Sequence, residues 1–466
     1  MSMTLDRRTA TALLVAAAFF MENLDATVIG TSLPAMARDF GIVPAHLSVG
    51  VSAYLVALTV FIPISGWAAD RFGARRMFLA AIVVFTGASV LCAITQGLWS
   101  FTAARILQGI GGAMMVPVGR LVVLRDTPKE DMVRMIAILT WPALVAPVLG
   151  PPIGGWISTH WSWRWIFLLN VPLGLAAMAA TWALIRSGEA KRPPFDTPGF
   201  ILTGLGIGLA LAGIEGLSRP DLSRGISFGM LLAGVASLLL SSVHLRRATH
   251  PLFGLEPLKI ATFRVTVVGG SLFRTTISSA PFLLPLMFQL ALGYSAVQAG
   301  ALLLWLFVGN LCMKPATSWI MNRFGFRNVL IGNGLLVAAG FAACSFLTAA
   351  TPYWLVCALL MATGMTRSMQ FTAMNTIGFA DVPQPQMRDA TTLFSVMQQM
   401  NAGMGIAVGA LALSIAEILN GSTPGLAALQ DFRIAFWIVA GLALLAIVDC
   451  IALPPGAGAR VLKART

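Results

Sequence analysis

The sequence predicts an all-α integral membrane protein with fourteen transmembrane helices, and three observations carry that prediction. Of its 466 residues 57% are hydrophobic and only 11% charged, with a mean hydropathy of +0.83, whereas soluble domains carry about a quarter charged residues. Apolar windows of spanning length recur along the whole chain, so the apolar content is not one anchor. The segment PISGWAADRFGAR from Pro63 returns as PATSWIMNRFGFR from Pro315, with Pro, Trp, Arg, Phe, Gly and Arg coinciding at a constant offset of 252 residues.

The windows fall near residues 9–33, 46–68, 76–96, 98–123, 134–157, 164–185, 197–216, 226–245, 262–291, 297–320, 328–349, 353–378, 388–416 and 431–453. The repeat makes the tenth window a copy of the second, with eight helices separating them. Two parallel six-helix bundles give an offset of six, so two helices are inserted between the halves. The seventh and eighth windows, flanked by KRPPFD and RRATHPLFGLEP, are that insertion. The expected division is a first six-helix bundle over 1–192, two inserted helices and linkers over 193–258, and a second bundle over 259–466.

Charge sets the orientation. The net charge of +13 invites a nucleic-acid reading, but 26 of the 31 basic residues are Arg and most sit in short loops between apolar runs. Counted by alternate loops, nineteen basic residues, among them Arg71, Arg125, Arg246 and Arg388, oppose four, Arg38, Arg219, Arg224 and Arg433. This bias places both termini in the cytoplasm and makes the lipid bilayer, not nucleic acid, the partner surface. The apolar run after MSMTLDRRTA lacks a small-residue cleavage site and reads as an uncleaved first span of a cytoplasmic (inner) membrane protein. Five cysteines scattered singly and four histidines at helix ends or loops give no metal or disulfide framework. Nothing in the fold requires assembly beyond a monomer.

The first window holds the most informative pair. Glu22 and Asp25 lie in FFMENLDATVIGTSLP, and each carboxylate at membrane depth costs about 3 kcal/mol, so they should face protein. Three residues apart, they share a helical face and should point into one cavity. Like charges in a desolvated site favour taking up a proton, which suits a proton-driven carrier. The alternative is an ion pair that locks helices together.

At this point the chain resembles the major facilitator superfamily, specifically its fourteen-span drug:proton antiporter branch and most closely the MdtD-type members. Four motifs in order carry the resemblance over nearly the whole length. LDATVIGTSLP resembles the branch's first-helix signature, with Ile29 and Gly30 where Val-Asn is usual. GWAADRFGARR resembles the superfamily's cytoplasmic loop motif. There Gly66 permits close helix approach, Gly73 belongs to the repeated RFG turn, and Asp70 can cap or pair with helix ends and with Arg71 and Arg75 as the bundles rock. In the second copy Asn322 replaces the acid.

ARILQGIGGAMMVPVGR, residues 104–120, resembles the fourth-helix motif whose Arg assists proton transfer, which makes Arg105 the expected partner of Asp25. Both lie roughly 10–12 Å below the outer surface at 1.5 Å per residue. Gly150, Pro151, Gly154 and Gly155 match the GPxxGG core of the antiporter motif, which within the superfamily marks exporters. The resemblance thus implies a proton-coupled efflux antiporter energised by the proton motive force, with no other cofactor.

The second half carries cations instead. Arg274 and Arg367 fall near the membrane midplane and Lys314 in the inner third of its span, where isolated cations cost several kcal/mol unless paired or facing water. Gln289, Asn310, Asn375 and Gln398 cluster with them in the reading of the sequence, giving a cavity with an acidic wall from the first bundle and a basic wall from the second. Such a wall favours an anionic or carboxylate-bearing solute, citrate-like, over a cationic drug. The alternative is that Arg274 and Arg367 pair with Glu22 and Asp25 across the interface, and that Lys314 acts as a gate.

Other classes fare worse. No lysine follows a glycine, so no phosphate-binding GxxxxGK loop powers a pump. No GxSxG, HExxH or His/Cys cluster supports a membrane enzyme. A facilitative channel or exchanger without proton coupling is the remaining alternative.

Overall fold

The computed structural model describes residues 6–29, 32–42, 47–125, 127–128, 131–186, 194–217, 223–294, 296–422, 428–454, 456–458 and 461. Among them the regular structure is helical throughout. In the first half lie α1 (Arg7–Val28), α2 (Leu33–Phe40), α3 (Ser48–Phe61), α4 (Ile64–Phe72), α5 (Ala74–Ile94), α6 (Leu98–Arg125), α7 (Met132–His160), α8 (Trp165–Leu168) and α9 (Asn170–Leu184). Then come α10 (Thr197–Leu217) and α11 (Arg224–Arg247). The second half holds α12 (Ala261–Arg264), α13 (Gly270–Leu286), α14 (Ala296–Phe324), α15 (Phe326–Cys344), α16 (Tyr353–Ala380), α17 (Met387–Asn420), α18 (Leu429–Leu445) and α19 (Ile447–Ile451).

Ten of the described helices are long and apolar enough to cross a membrane, or eleven if the bent pair α3–α4 is one span. The windows at 134–157, 262–291 and 353–378 fold as α7, α12–α13 and α16 but fall outside that set. Arg367 and its polar neighbours Thr366, Ser368 and Gln370 lower the hydropathy of α16, and π-turns at Val265–Gly269 and Met287–Ala291 divide the segment around α13.

The sequence repeat is a repeat of backbone. Gly73 and Gly325 both take positive φ, +85° and +75°, and cap the start of α5 and α15. That conformation strains any residue with a Cβ, which accounts for a glycine in each RFG copy. The copies differ at their prolines. Pro63 separates α3 from α4 with a 61° bend, whereas Pro315 is accommodated inside a continuous α14.

Packing repeats as well. In the first half α1 packs chiefly on α7 and α3 on α6; in the second, α13 packs on α17 and α14 on α16. Glycines set these crossings. A Cβ on Gly109 would lie 2.5 Å from the Tyr54 carbonyl oxygen, and one on Gly364 would lie 2.0 Å from that of Leu306. Close approach of this kind is how helices associate where no hydrophobic force separates lipid from protein. The pair α10–α11 lies against α3 of the first half and α17 of the second. Asp196 ties its ends together, accepting from the Gly199 and Leu252 amides at 2.9 and 3.1 Å and meeting His244 Nε2 at 2.8 Å.

Among the described residues the apolar core is continuous on one side only. One cluster runs through both halves at the end that carries the arginine-rich turns, joining Phe78, Leu124 and Met135 to Phe326, Phe379 and Phe394. At the opposite end the halves have separate cores, around Phe101 and Phe167 in the first and Phe288 and Phe436 in the second. The halves therefore meet at the arginine-rich end. Trp163 is 4% exposed, and its Nε1 donates to Asp39 Oδ2 at 3.0 Å. Arg164 reaches the same oxygen, and together these bonds hold the Asp39 carboxyl below its usual range.

Candidate functional site

Asp25 stands at the centre of a buried polar network inside the first half, in which Arg105 Nε and Nη2 find no partner among the described residues. Asp25 Oδ2 accepts from Arg105 Nη1 at 2.6 Å, and its Oδ1 accepts from Gln108 Nε2 at 2.9 Å and Asn170 Nδ2 at 2.8 Å. Gln108 also donates to Ser89 at 2.8 Å and accepts from Arg105 at 2.5 Å. Four helices, α1, α5, α6 and α9, thus converge on one carboxylate. The Arg105 guanidinium lies 4.1 Å from the Tyr54 ring centroid, and the Arg105 and Asp25 side chains are both 0% exposed. Taking such a pair from water costs several kcal/mol per ion, and only this density of hydrogen bonds makes it tenable.

Glu22 and Asp25, expected to point into one cavity, both lie near Tyr54 but differ in how they are satisfied. Asp25 is buried in the interior of the first half, with Gln108 and Asn170 donating to its Oδ1. Glu22, one turn away, is 8% exposed and faces Gly112 and Tyr54. Its Oε2 and the Tyr54 hydroxyl have no hydrogen-bond partner among the described residues. The pair is therefore one hydrogen-bonded carboxylate and one unsatisfied carboxylate, neighbours one turn apart on the same helix.

The cations of the second half do not form a single wall. Arg274 donates from Nη1 to the Thr266 carbonyl at 2.8 Å and from Nη2 to Asn375 Oδ1 at 3.0 Å, and its Cζ lies 4.7 Å from the Phe394 ring centroid. Arg367 turns into the interior of the second half instead, lining a cavity of about 30 Å³ with Ile277, Leu306 and Phe436. Its Nε and Nη1 have no described partner. Neither arginine pairs with Glu22 or Asp25 in the described structure. Asn310 is buried with both amide atoms unpartnered, and Gln289 is exposed and bonds back to the Pro285 carbonyl of its own helix at 3.2 Å. A helix turns successive polar residues to different faces, which is why these groups separate.

Of these three cations, Lys314 is the one that bonds across to the first half among the described residues. Its Nζ donates to Thr140 of α7 at 3.2 Å and Thr372 of α16 at 2.9 Å. It borders a cleft of about 980 Å³ between α1, α7 and α14. Phe20, Trp141, Val145 and Leu311 make that cleft mostly apolar, and Lys314 and Arg134 are the charged residues among its lining. An amphipathic solute fits this chemistry.

The loop motif closes the arginine-rich end. A Cβ on Gly66 would lie 2.7 Å from Thr392 Oγ1 of α17, so glycine is what lets α4 meet the second half. Asp70 pairs with Arg388 of α17 at 3.0 Å, not with Arg71 or Arg75, and Arg388 also holds Asp389 at 2.6 Å. Arg75 donates to the Trp182 carbonyl at 2.7 Å and stacks on its ring, while Arg71 is exposed. In the GPxxGG segment a Cβ on Gly150 would lie 2.2 Å from Thr27 Oγ1, which fixes α7 against α1. Gly154 is buried and Gly155 has open space; the Pro151 side chain lies outside the described residues.

Sequence reasoning passed over Arg120, Phe394, Gln108 and Asn170. Arg120 donates to Ser395 at 3.3 Å and Gln398 at 3.4 Å, the place where Gln398 enters the site. The signal was present in Arg120, a lone cation in the apolar run MVPVGRLVV. The amides gave none, since a buried Gln or Asn is marked only by its partners.

Comparison with known proteins places this geometry. Residues 15–410 match the family described as Major Facilitator Superfamily. A relative in Serratia proteamaculans (strain 568), named for multidrug resistance as MdtD, is 36% identical over 409 residues, 88% of this chain and 84% of the relative. MdtD of Pectobacterium atrosepticum is 35% identical over 405 residues, 86% of both chains. The human organic anion transporter MFSD10 superposes with a TM-score of 0.68 at 14% identity, covering 95% of this chain and 99% of its own. The proton:xylose symporter XylE gives 0.65 at 14% identity, covering 97% of each chain, and both likenesses speak to the fold. The chain therefore belongs to the major facilitator superfamily as an MdtD-like, multi-pass membrane transporter and is not an enzyme.

Proposed function

We propose that this transporter is a proton-coupled antiporter of the inner membrane that exports amphipathic drugs and related solutes. In this reading it crosses the bilayer fourteen times as a monomer, with both termini cytoplasmic. The division is a first bundle over 1–192, inserted helices over 193–258 and a second bundle over 259–466. The halves then meet at the cytoplasmic end and part toward the outside, an outward-facing arrangement.

One observation carries the reading: Asp25 is held by Arg105 in a buried network beside Glu22, whose own Oε2 has no partner among the described residues. Protonation of Asp25 removes the counter-charge of Arg105 and forces that network to rearrange. A buried network with two discrete arrangements is able to bias one bundle against the other. The names of the relatives supply the drug class.

A second reading, export of organic anions, is favoured by Lys314 and Arg134 as the charged residues bordering the cleft. The test is transport into everted vesicles under an imposed pH gradient, with a panel of cationic drugs and carboxylic acids. Proton-driven uptake that Lys314→Gln abolishes for acids and spares for cations selects the anion reading; the reverse order selects cations. Uptake indifferent to the gradient for every solute rejects both.

A further inference from the structure

Arg120 of α6 and Arg274 of α13 come from opposite halves and meet at one aromatic ring. Their Cζ atoms lie 4.6 and 4.7 Å from the centroid of Phe394. They are 8% and 2% exposed, and neither forms an ion pair among the described residues. Arg274 leaves its Nε without a partner, and Arg120 reaches only hydroxyl and amide oxygens at 3.3 and 3.4 Å. Sharing one ring at 4.6 and 4.7 Å, the two guanidiniums set like charge against like charge across the seam. The Phe394 ring offsets part of the burial of each cation, but it carries no charge with which to neutralise them.

We propose that a small inorganic anion of chloride size binds between Arg120 and Arg274 and staples α6 to α13 and α17. Burial sets the size, because side chains this enclosed exclude a drug-sized solute. Position separates the site from the solute path, since neither arginine borders the cleft between α1, α7 and α14. The anion bridges the halves only while the seam is shut, so its concentration favours that arrangement. This holds whatever solute is carried and whether or not protons drive transport.

The test is thermal unfolding of the full-length chain in detergent as gluconate is replaced by chloride at fixed ionic strength. A saturable rise in Tm of several degrees is expected. Arg120→Gln and Arg274→Gln should each weaken the apparent chloride affinity by about tenfold or more, while Arg323→Gln, at the exposed end of α14, titrates as the unaltered protein does. Crystals of the unaltered chain grown in bromide should show an anomalous peak between the two guanidiniums, a result that decides the matter even if a variant fails to fold. A Tm indifferent to chloride, an undiminished response in both glutamine variants, or bromide absent from this position overturns the proposal.

Discussion

Asp25 in the first half and Arg274 in the second lie on corresponding helices, α1 and α13, yet their surroundings are opposite. Asp25 has a cation at 2.6 Å and two amide donors within 2.9 Å, supplied by α6 and α9. Arg274 has a carbonyl, an amide oxygen and a ring, but no carboxylate. At the repeat offset of 252, Glu22 of α1 falls on Arg274 itself, and Asp70 falls on Asn322. One backbone plan thus carries a carboxylate neutralised within its own half at Asp25 and an uncompensated cation at Arg274. A neutralised network can change state only by gaining or losing a proton. An uncompensated cation is completed by something outside its own half.

The largest effect that sharpens this contrast is removal of a single partner in the first half. Arg105→Met leaves Asp25 buried without its cation and should cost about 3–5 kcal/mol, read as a fall in Tm of the purified protein. Applied to the second half, the same operation should break the other way: Arg367→Met removes an unpaired buried charge and should leave Tm unchanged or raised. A comparable loss in both would erase the distinction. Gly150→Val drives a side chain into Thr27 and should lower both Tm and transport, by about 1–3 kcal/mol in stability. Asp70→Asn breaks only a partly exposed pair with Arg388, about 0–1 kcal/mol, and should show mainly as greater thiol-reagent access to a cysteine placed at Thr392.

Smallest is Asp39. Its carboxyl is held low by Arg164 and Trp163, so its contribution is present above the unfolded value, near pH 4, and fades as pH falls through the lower folded value. Asp39→Asn should therefore lower Tm slightly at pH 7 and not at all in strong acid. Equal shifts at both pH values would exclude the interaction.

The sequence repeat foretold the backbone because turns and crossings depend on residue type alone. Gly73 and Gly325 need positive φ, and Gly66, Gly109 and Gly150 need to lack a Cβ, so each is visible as a letter. The Asp25–Arg105 pair was foreseen from matching depth together with the family resemblance. What stayed hidden depends on helix rotation and on the seam. Arg367 turned into its own half, Gln289 turned outward, and Asp70 found Arg388, a residue 318 positions away, because no local spacing encodes how two halves dock.

The central claim is that the buried carboxylate of the first half couples protons to solute movement. Everted vesicles carrying Glu22→Gln with Asp25→Asn should retain saturable downhill exchange of a transported drug yet lose all accumulation in response to an imposed pH gradient. Undiminished uphill accumulation in that double variant would contradict the account.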